Sequence, residues 1–289
     1  MSALLEDVRH RLRRAFSHPA PRRSQRDPGQ YPDRLLGPAG IRQGGGPATG
    51  GGGAVRAAAF LYVWWVLVWS PFLADRHFHA MRAAVTGQEF QHRFRLARLR
   101  NPFQPYYLAE AADRVQRGTE DLDPENYALC HGWLRTAIRL EPGEPGFHRD
   151  LARVYVRAFR ERFHDAFTRD RAIEAYAEAF RLNPTDPRPL VEKARFERLV
   201  GRPEAGLEAL GFALRVEPAY SAARLERLEI LLALGRTGEF RRERDGFDRT
   251  LRDLAETRPR NGYEESILAL DRARWDRLQR VELPDSGPP

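Results

Sequence analysis

The chain has 289 residues, with 48 Lys+Arg against 40 Asp+Glu, a formal net charge of +8, 23 Gly, 21 Pro and a single Cys. One cysteine excludes an intrachain disulfide. Lys193 is the only lysine, so the basic balance reflects general arginine use. Because acids are interleaved with those arginines along helical stretches, the charge describes solvated faces rather than a nucleic-acid surface.

In chain order, residues 1–16 come first. Leu4, Leu5, Val8, Leu12 and Phe16 form one stripe among Arg9, Arg11, Arg13 and Arg14, the pattern of a basic amphipathic helix that can lie on an anionic membrane surface. Residues 17–56 are rich in Pro, Gly and Arg, with nine Gly from Gly37 to Gly53. No apolar period survives there, so a disordered tether is expected. Residues 57–74 carry no charge between Arg56 and Asp75. An apolar run of this length, within the usable range of about 17–25 residues, fits one transmembrane helix. It begins too far along the chain for a secretory signal. The reading is a single-pass protein of a bacterial inner membrane. Arg76, Arg82 and Arg93 outnumber Arg42 and Arg56 beside the span, which leans the following domain toward the cytoplasm. The ten Arg of the first 56 residues pull the other way, so the side stays open.

Residues 75–252 repeat a phrase. Pro102, Pro142, Pro184 and Pro218 each follow an Ala by five residues: Ala97, Ala137, Ala179 and Ala213. The first unit has Leu108, Ala111, Ala112 and Val115, then Cys130, Leu134 and Ala137, with extra residues near 118–123. The second has Leu151, Ala152 and Tyr155, then Ala172, Tyr176 and Ala179, with about eight extra residues near 160–168. The third, counted from Pro187 as position 1, has Leu190, Ala194, Gly206, Leu210 and Ala213 with no insertion. A fourth, from Ser221, keeps Leu228 and Leu231. There Arg244 stands where a large apolar residue belongs, which leaves its second helix doubtful. Residues 253–283 fit a capping region with Ile267, Leu268, Trp275 and Leu278.

Paired helices with small residues at the crossings and a closing Pro resemble the tetratricopeptide repeat (TPR). The resemblance implies an all-α fold: a right-handed α-solenoid of helix pairs, here preceded by one transmembrane helix and a disordered N-terminal segment. It also implies a concave wall made by the first helix of each pair. Carried over by register, the wall holds Tyr106, Ala109, Asp113, Gln116 and Arg117 in the first unit. The second supplies Gly146, Arg149, Arg153, Val156 and Arg157, and the third Arg188, Val191, Arg195, Arg198 and Leu199. Arginine's planar fork grips carboxylates. The expected partner-binding residues are therefore Tyr106, as an apolar anchor, with Arg149, Arg153, Arg157, Arg188, Arg195 and Arg198. The expected partner is an acidic or C-terminal peptide of another protein. The competing reading is that these arginines pair with neighbouring acids.

Chemistry is not visible. There is no nucleophile elbow and no phosphate-binding loop. His77 and His79 fall on different helix faces and cannot share a metal. Cys130 sits at a small-residue packing position. No enzyme activity, metal or cofactor is expected. The function read from the residues is a membrane-anchored protein-interaction scaffold. A second resemblance is carried by the junction from Ala74-Asp75 to Asn101-Pro-Phe-Gln-Pro-Tyr106. It is similar to the C-terminal region of O-antigen ligase and polymerase family membrane proteins. That implies, as the alternative, a non-catalytic accessory piece of glycan machinery beside a many-spanning partner.

Overall fold

The computed structural model describes residues 51–254 and 258–282, with side chains from residue 55 onward. The expected helix at 1–16, most of the tether and the tail beyond 282 lie outside the described residues. Among the described residues all regular structure is helical.

The four prolines act alike. The residue before each one, Asn101, Glu141, Asn183 and Glu217, leaves the helical region with φ between −136° and −141° and ψ between 82° and 91°. A pre-proline residue disfavours helical angles because the ring crowds its backbone. Each of these residues still donates its N–H to the carbonyl of the repeated Ala, at 2.9–3.2 Å. All four Ala are 0 % exposed. The phrase is thus a helix stop with a built-in packing site.

The pairs are α2 (Ser70–Ala83) with α3 (Gly87–Arg100), α4 (Pro105–Gly118) with α5 (Pro124–Leu140), and α6 (Pro145–Ala158) with α7 (Ala166–Leu182). Then come α8 (Arg188–Leu199) with α9 (Pro203–Val216) and α10 (Ser221–Ala233) with α11 (Thr237–Asp253). Each pair packs on the next, and the first helices of successive pairs also touch, α4 with α6 and α8 with α10. Starts are set locally. Asp123 and Asp165 accept the N–H groups of Asn126 and Thr168 at 2.7 and 2.6 Å, and Pro opens α4, α5, α6 and α9, where a missing N–H costs nothing.

Small residues set the helix approach. A Cβ added to Gly206 would stand 3.1 Å from the Ala194 carbonyl and 3.2 Å from Ile230. Leu108, Leu134 and Leu210 are fully buried in the gaps between helices.

The second helix of the fourth unit, doubtful in sequence, forms as α11. Arg244 does leave its usual apolar position, but Phe240 and Phe247, both 0 % exposed, fill the core instead. They occupy positions that are small in earlier units. Among the described residues no further full pair stacks there; the short helices α12 (Gly262–Leu268) and α13 (Arg272–Gln279) do. Phe247 meets Trp275 edge to face at 4.9 Å.

The apolar segment also differs from expectation at its end. α1 (Gly51–Trp64), a π-turn (Trp65–Trp69) and α2 follow without a break. The π-turn has a cause: Pro71 lacks the N–H that Leu67 would receive, and the Ser70 N–H reaches back to Trp65 instead. The helix passes Asp75 and ends at Ala83, so its last 14 residues are the first helix of the α2–α3 pair. Ala74 and Met81 are buried there. The stretch Val55–Ala83 has a mean hydropathy of 1.7 over its most apolar window, of which 6 % is buried. It is long and apolar enough to cross a membrane.

Candidate groove along the first helices

The wall is a ladder of ion pairs with a fixed register. Arg153 on α6 grips Glu192 on α8 with two prongs, Nε to Oε2 at 2.8 Å and Nη2 to Oε1 at 2.5 Å. One unit on, Arg195 on α8 meets Glu226 on α10 at 3.1 Å. Both arginines stand at position 9 of their units and both glutamates at position 6 of the next. Glu226 is 1 % exposed. Arg198 and Arg274 join it at 2.8 and 3.1 Å and also reach Glu229. A carboxylate taken out of water needs such partners. Arg274 comes from α13, so the ladder ties the cap to the array.

Arg157 does something else. Its Nη2 donates to the carbonyls of Thr119 at 2.8 Å and Glu120 at 2.7 Å, its Nη1 to that of Gln116, and its Nε to Glu161 at 2.7 Å. Those carbonyls belong to the last turn of α4 and the residues after it, where no intrahelical donor remains. Glu161 in turn accepts the Leu122 N–H at 2.6 Å, and Arg162 donates to the Leu122 carbonyl at 2.8 Å. The extra residues of the second unit thereby pin the extra residues of the first. They form a second π-turn (Phe159–Phe163) on the end of α6, closed by His164 in the left-handed region at φ 42°. Burial draws the Glu161 carboxyl upward, but the Arg157 hydrogen bond and the Leu122 N–H outweigh it and hold it below the usual range.

The other expected residues are also engaged within the chain. Arg188 closes on Asp186 at 2.7 and 2.8 Å and lies over the Tyr263 ring. Arg149 lies 4.0 Å from Asp150. Tyr106 packs edge to face on Phe147 and donates to Glu144 at 3.0 Å. It stands at the opposite end of α4 from the loop that Arg157 pins.

Between α4 and α6 the ladder is interrupted. Position 9 of the first unit is Asp113, and position 6 of the second is Asp150. Two acids cannot pair, and Asp113 turns to Arg117 on its own helix. Burial, reinforced by the charge of Asp113, raises the Asp150 carboxyl against the pull of Arg149 and Arg153. At this break lies a cleft of about 620 Å³ lined by Asp113, Gln116, Arg117, Arg153, Val156, Arg157, Arg160, Glu161 and Tyr176. Arg117 and Arg160 are exposed at its rim. Arg160 makes no hydrogen bond or ion pair among the described residues. The Tyr176 hydroxyl is held protonated by burial, with the charge of Glu192 adding to it.

Of the expected partner-binding residues, Arg153 and Arg157 line this cleft, and Tyr106, Arg149, Arg188, Arg195 and Arg198 do not. The acids at position 6 went unread, although an Arg at position 9 followed by an acid at position 6 of the next unit is visible in sequence. Arg160 went unread because it belongs to an insertion, outside any repeat register. Cys130 is buried, its thiol pushed up to about 11 by desolvation, and it contacts the Ala112 carbonyl at 3.5 Å. No group of His, Cys, Asp and Glu among the described residues could hold a metal.

No family model matches the sequence, and no curated protein matches it. Solved structures do. The crystal structure of MamA protein is 11 % identical over 66 % of this chain and 97 % of MamA, with a TM-score of 0.52. The MamA RS-1 ArsTM double mutant is 12 % identical over 65 % and 98 %, with a TM-score of 0.50. TTC0263, a thermophilic TPR protein in Thermus thermophilus, is 18 % identical over 73 % and 98 %, with a TM-score of 0.47. The likeness to MamA, with the repeat register and the hairpin packing above, gives the described residues a TPR-like all-helical fold.

Proposed function

We propose that this chain is a non-catalytic scaffold, anchored by its apolar helix in a bacterial inner membrane, that holds a peptide segment of a partner protein in the cleft between α4 and α6. The observation that carries the reading is the coincidence of the cleft with the interruption of the ladder. Further along the wall Arg153, Arg195 and Arg198 are matched by acids of the next unit. At the break Arg117 pairs only within its own helix and Arg160 makes no hydrogen bond or ion pair among the described residues, which leaves the rim for a ligand. Arg160 and Arg117 suit a carboxylate of an acidic or C-terminal peptide, and Val156 offers an apolar floor. The apolar helix supports anchoring, because a soluble surface rarely leaves Phe60, Leu61, Tyr62, Val63 and Leu67 all at least half exposed. No observation favours the accessory role in glycan machinery over this reading.

The test is a photo-crosslinking residue at Val156 in the full chain in its native membrane, with the same residue at Phe212 as the control. A partner captured at Val156 and not at Phe212 supports the cleft. Capture at Phe212 alone moves recognition to another face.

A further inference from the structure

The α2–α3 pair places a second apolar feature beside the membrane helix. α3 runs back toward the apolar run, and the Ser70 hydroxyl donates to the Arg100 carbonyl at 2.7 Å. The end of α3 therefore stands level with Ser70, inside the uncharged stretch 57–74. The pair is locked there. Ala74 and Ala97 are fully buried together with Tyr107, whose hydroxyl donates to Asp75 at 2.6 Å. Just beyond this lock, Leu99 is 81 % exposed and Phe103 is 77 % exposed. Each is a large apolar side chain left mostly open among the described residues.

Cations surround them. Residues 75–100 hold six Arg and two acids. Asp75 is taken by Tyr107, and Glu89 lies 4.0 Å from Arg93. The side chains of Arg76, Arg95, Arg98 and Arg100 make no hydrogen bond or ion pair among the described residues. The charges of Arg76, Arg93 and Arg100 all bear on one group, His77, so these arginines are clustered.

We propose that the turn from Leu99 to Phe103 is a membrane-contact site: the two apolar side chains enter the interface of the same bilayer, and the surrounding arginines bind the phosphates of anionic lipids. This rests on the anchored reading of the apolar helix and adds to it a fixed stance. The first pair would be held against the bilayer at two places, which prevents it from swinging about the anchor. Each basic side chain near an anionic surface adds to the attraction. The apolar side chains supply what lipid charge alone does not.

The experiment uses the full chain reconstituted in vesicles of phosphatidylcholine, with or without phosphatidylglycerol. An environment-sensitive fluorophore is attached at Leu99→Cys, Phe103→Cys or, as reference, Phe212→Cys; Cys130 is buried and does not compete. The expected result is blue-shifted emission at 99 and 103, quenched by headgroup-level nitroxide lipids, and water-like emission at 212. Arg98→Gln with Arg100→Gln should abolish the part of the shift that depends on phosphatidylglycerol. Water-like emission at 99 and 103 in protein that stays with the vesicles through an alkaline carbonate wash overturns the contact site and leaves the anchor standing. A blue shift without nitroxide quenching also overturns it, since a second copy of the chain would then be the cover. Release of the chain by carbonate overturns the anchor itself.

Discussion

The half of the array near the apolar helix and the half near the cap solve the same problem differently. In the third and fourth units the first helix ends at Gly201 or Gly235, at φ 77° and 67°. The N–H of the next residue, Arg202 or Arg236, reaches back to the Glu197 or Leu231 carbonyl at 2.8 or 3.0 Å. That turn is closed by backbone alone, and only glycine adopts it without strain. In the first and second units the turns are longer, and no glycine there takes the left-handed region. Closure there depends on Arg157, Arg162 and Glu161, side chains reaching between units. The ladder is continuous in the distal half and broken in the proximal half. A repeat array can carry insertions, and a cleft, where side chains replace the backbone turn.

Four predictions sharpen this contrast. The largest effect belongs to the distal core. Phe247→Ala removes a fully buried ring from the contact between α11 and α13 and should cost about 3–5 kcal/mol, read by thermal unfolding in detergent. A loss under ~1 kcal/mol would mean the cap does not seal the array. Next, Arg157→Ala should cost about 2–3 kcal/mol, since it strands several carbonyls at once. Hydrogen exchange should accelerate at residues 119–122 and not at 201–203; uniform acceleration would contradict a local clamp.

Smaller effects separate the two kinds of turn. Gly201→Ala and Gly235→Ala should each cost about 1 kcal/mol, because alanine disfavours the left-handed region. Gly118 ends α4 with open space around its Cα, and Gly118→Ala should be neutral or stabilising by up to ~0.5 kcal/mol. The smallest effect is acid sensitivity. The Glu161 carboxyl lies below its ordinary range, so its contribution is complete above the unfolded value of about 4.3. It is lost as pH falls through the lower folded value. Acid titration followed by exchange should open residues 119–122 before residues 201–203, and Glu161→Gln should remove the difference.

The repeat was legible because proline and small residues act locally. The Ala–Pro phrase stops a helix and packs its last turn by the same rule four times, and those rules need no distant partner. The groove was harder. Register alone placed Arg153, Arg157, Arg195 and Arg198 on the first helices. The acids that meet Arg195 and Arg153 lie 31 and 39 residues further along the chain, and Arg157 binds mainly backbone carbonyls. Periodicity within one unit does not show what faces it from the next. Arg157 is on the same helix and the same wall as Arg153, one turn further on, yet one closes a loop and the other forms a rung. The helix end was not legible for a related reason: a change from apolar to charged residues at Asp75 marks a change of environment, and the helix continues through it to Ala83.

The central claim is that Arg153 and Arg195 are rungs between units, and that a partner is held where the ladder breaks. The direct test is partner capture by the full chain in two variants, Arg117→Glu with Arg160→Glu at the break, and Arg195→Gln with Glu226→Gln in the ladder. The account predicts that the first loses the partner while its unfolding is unchanged, and that the second keeps it. Retention by the first and loss by a folded second would contradict it.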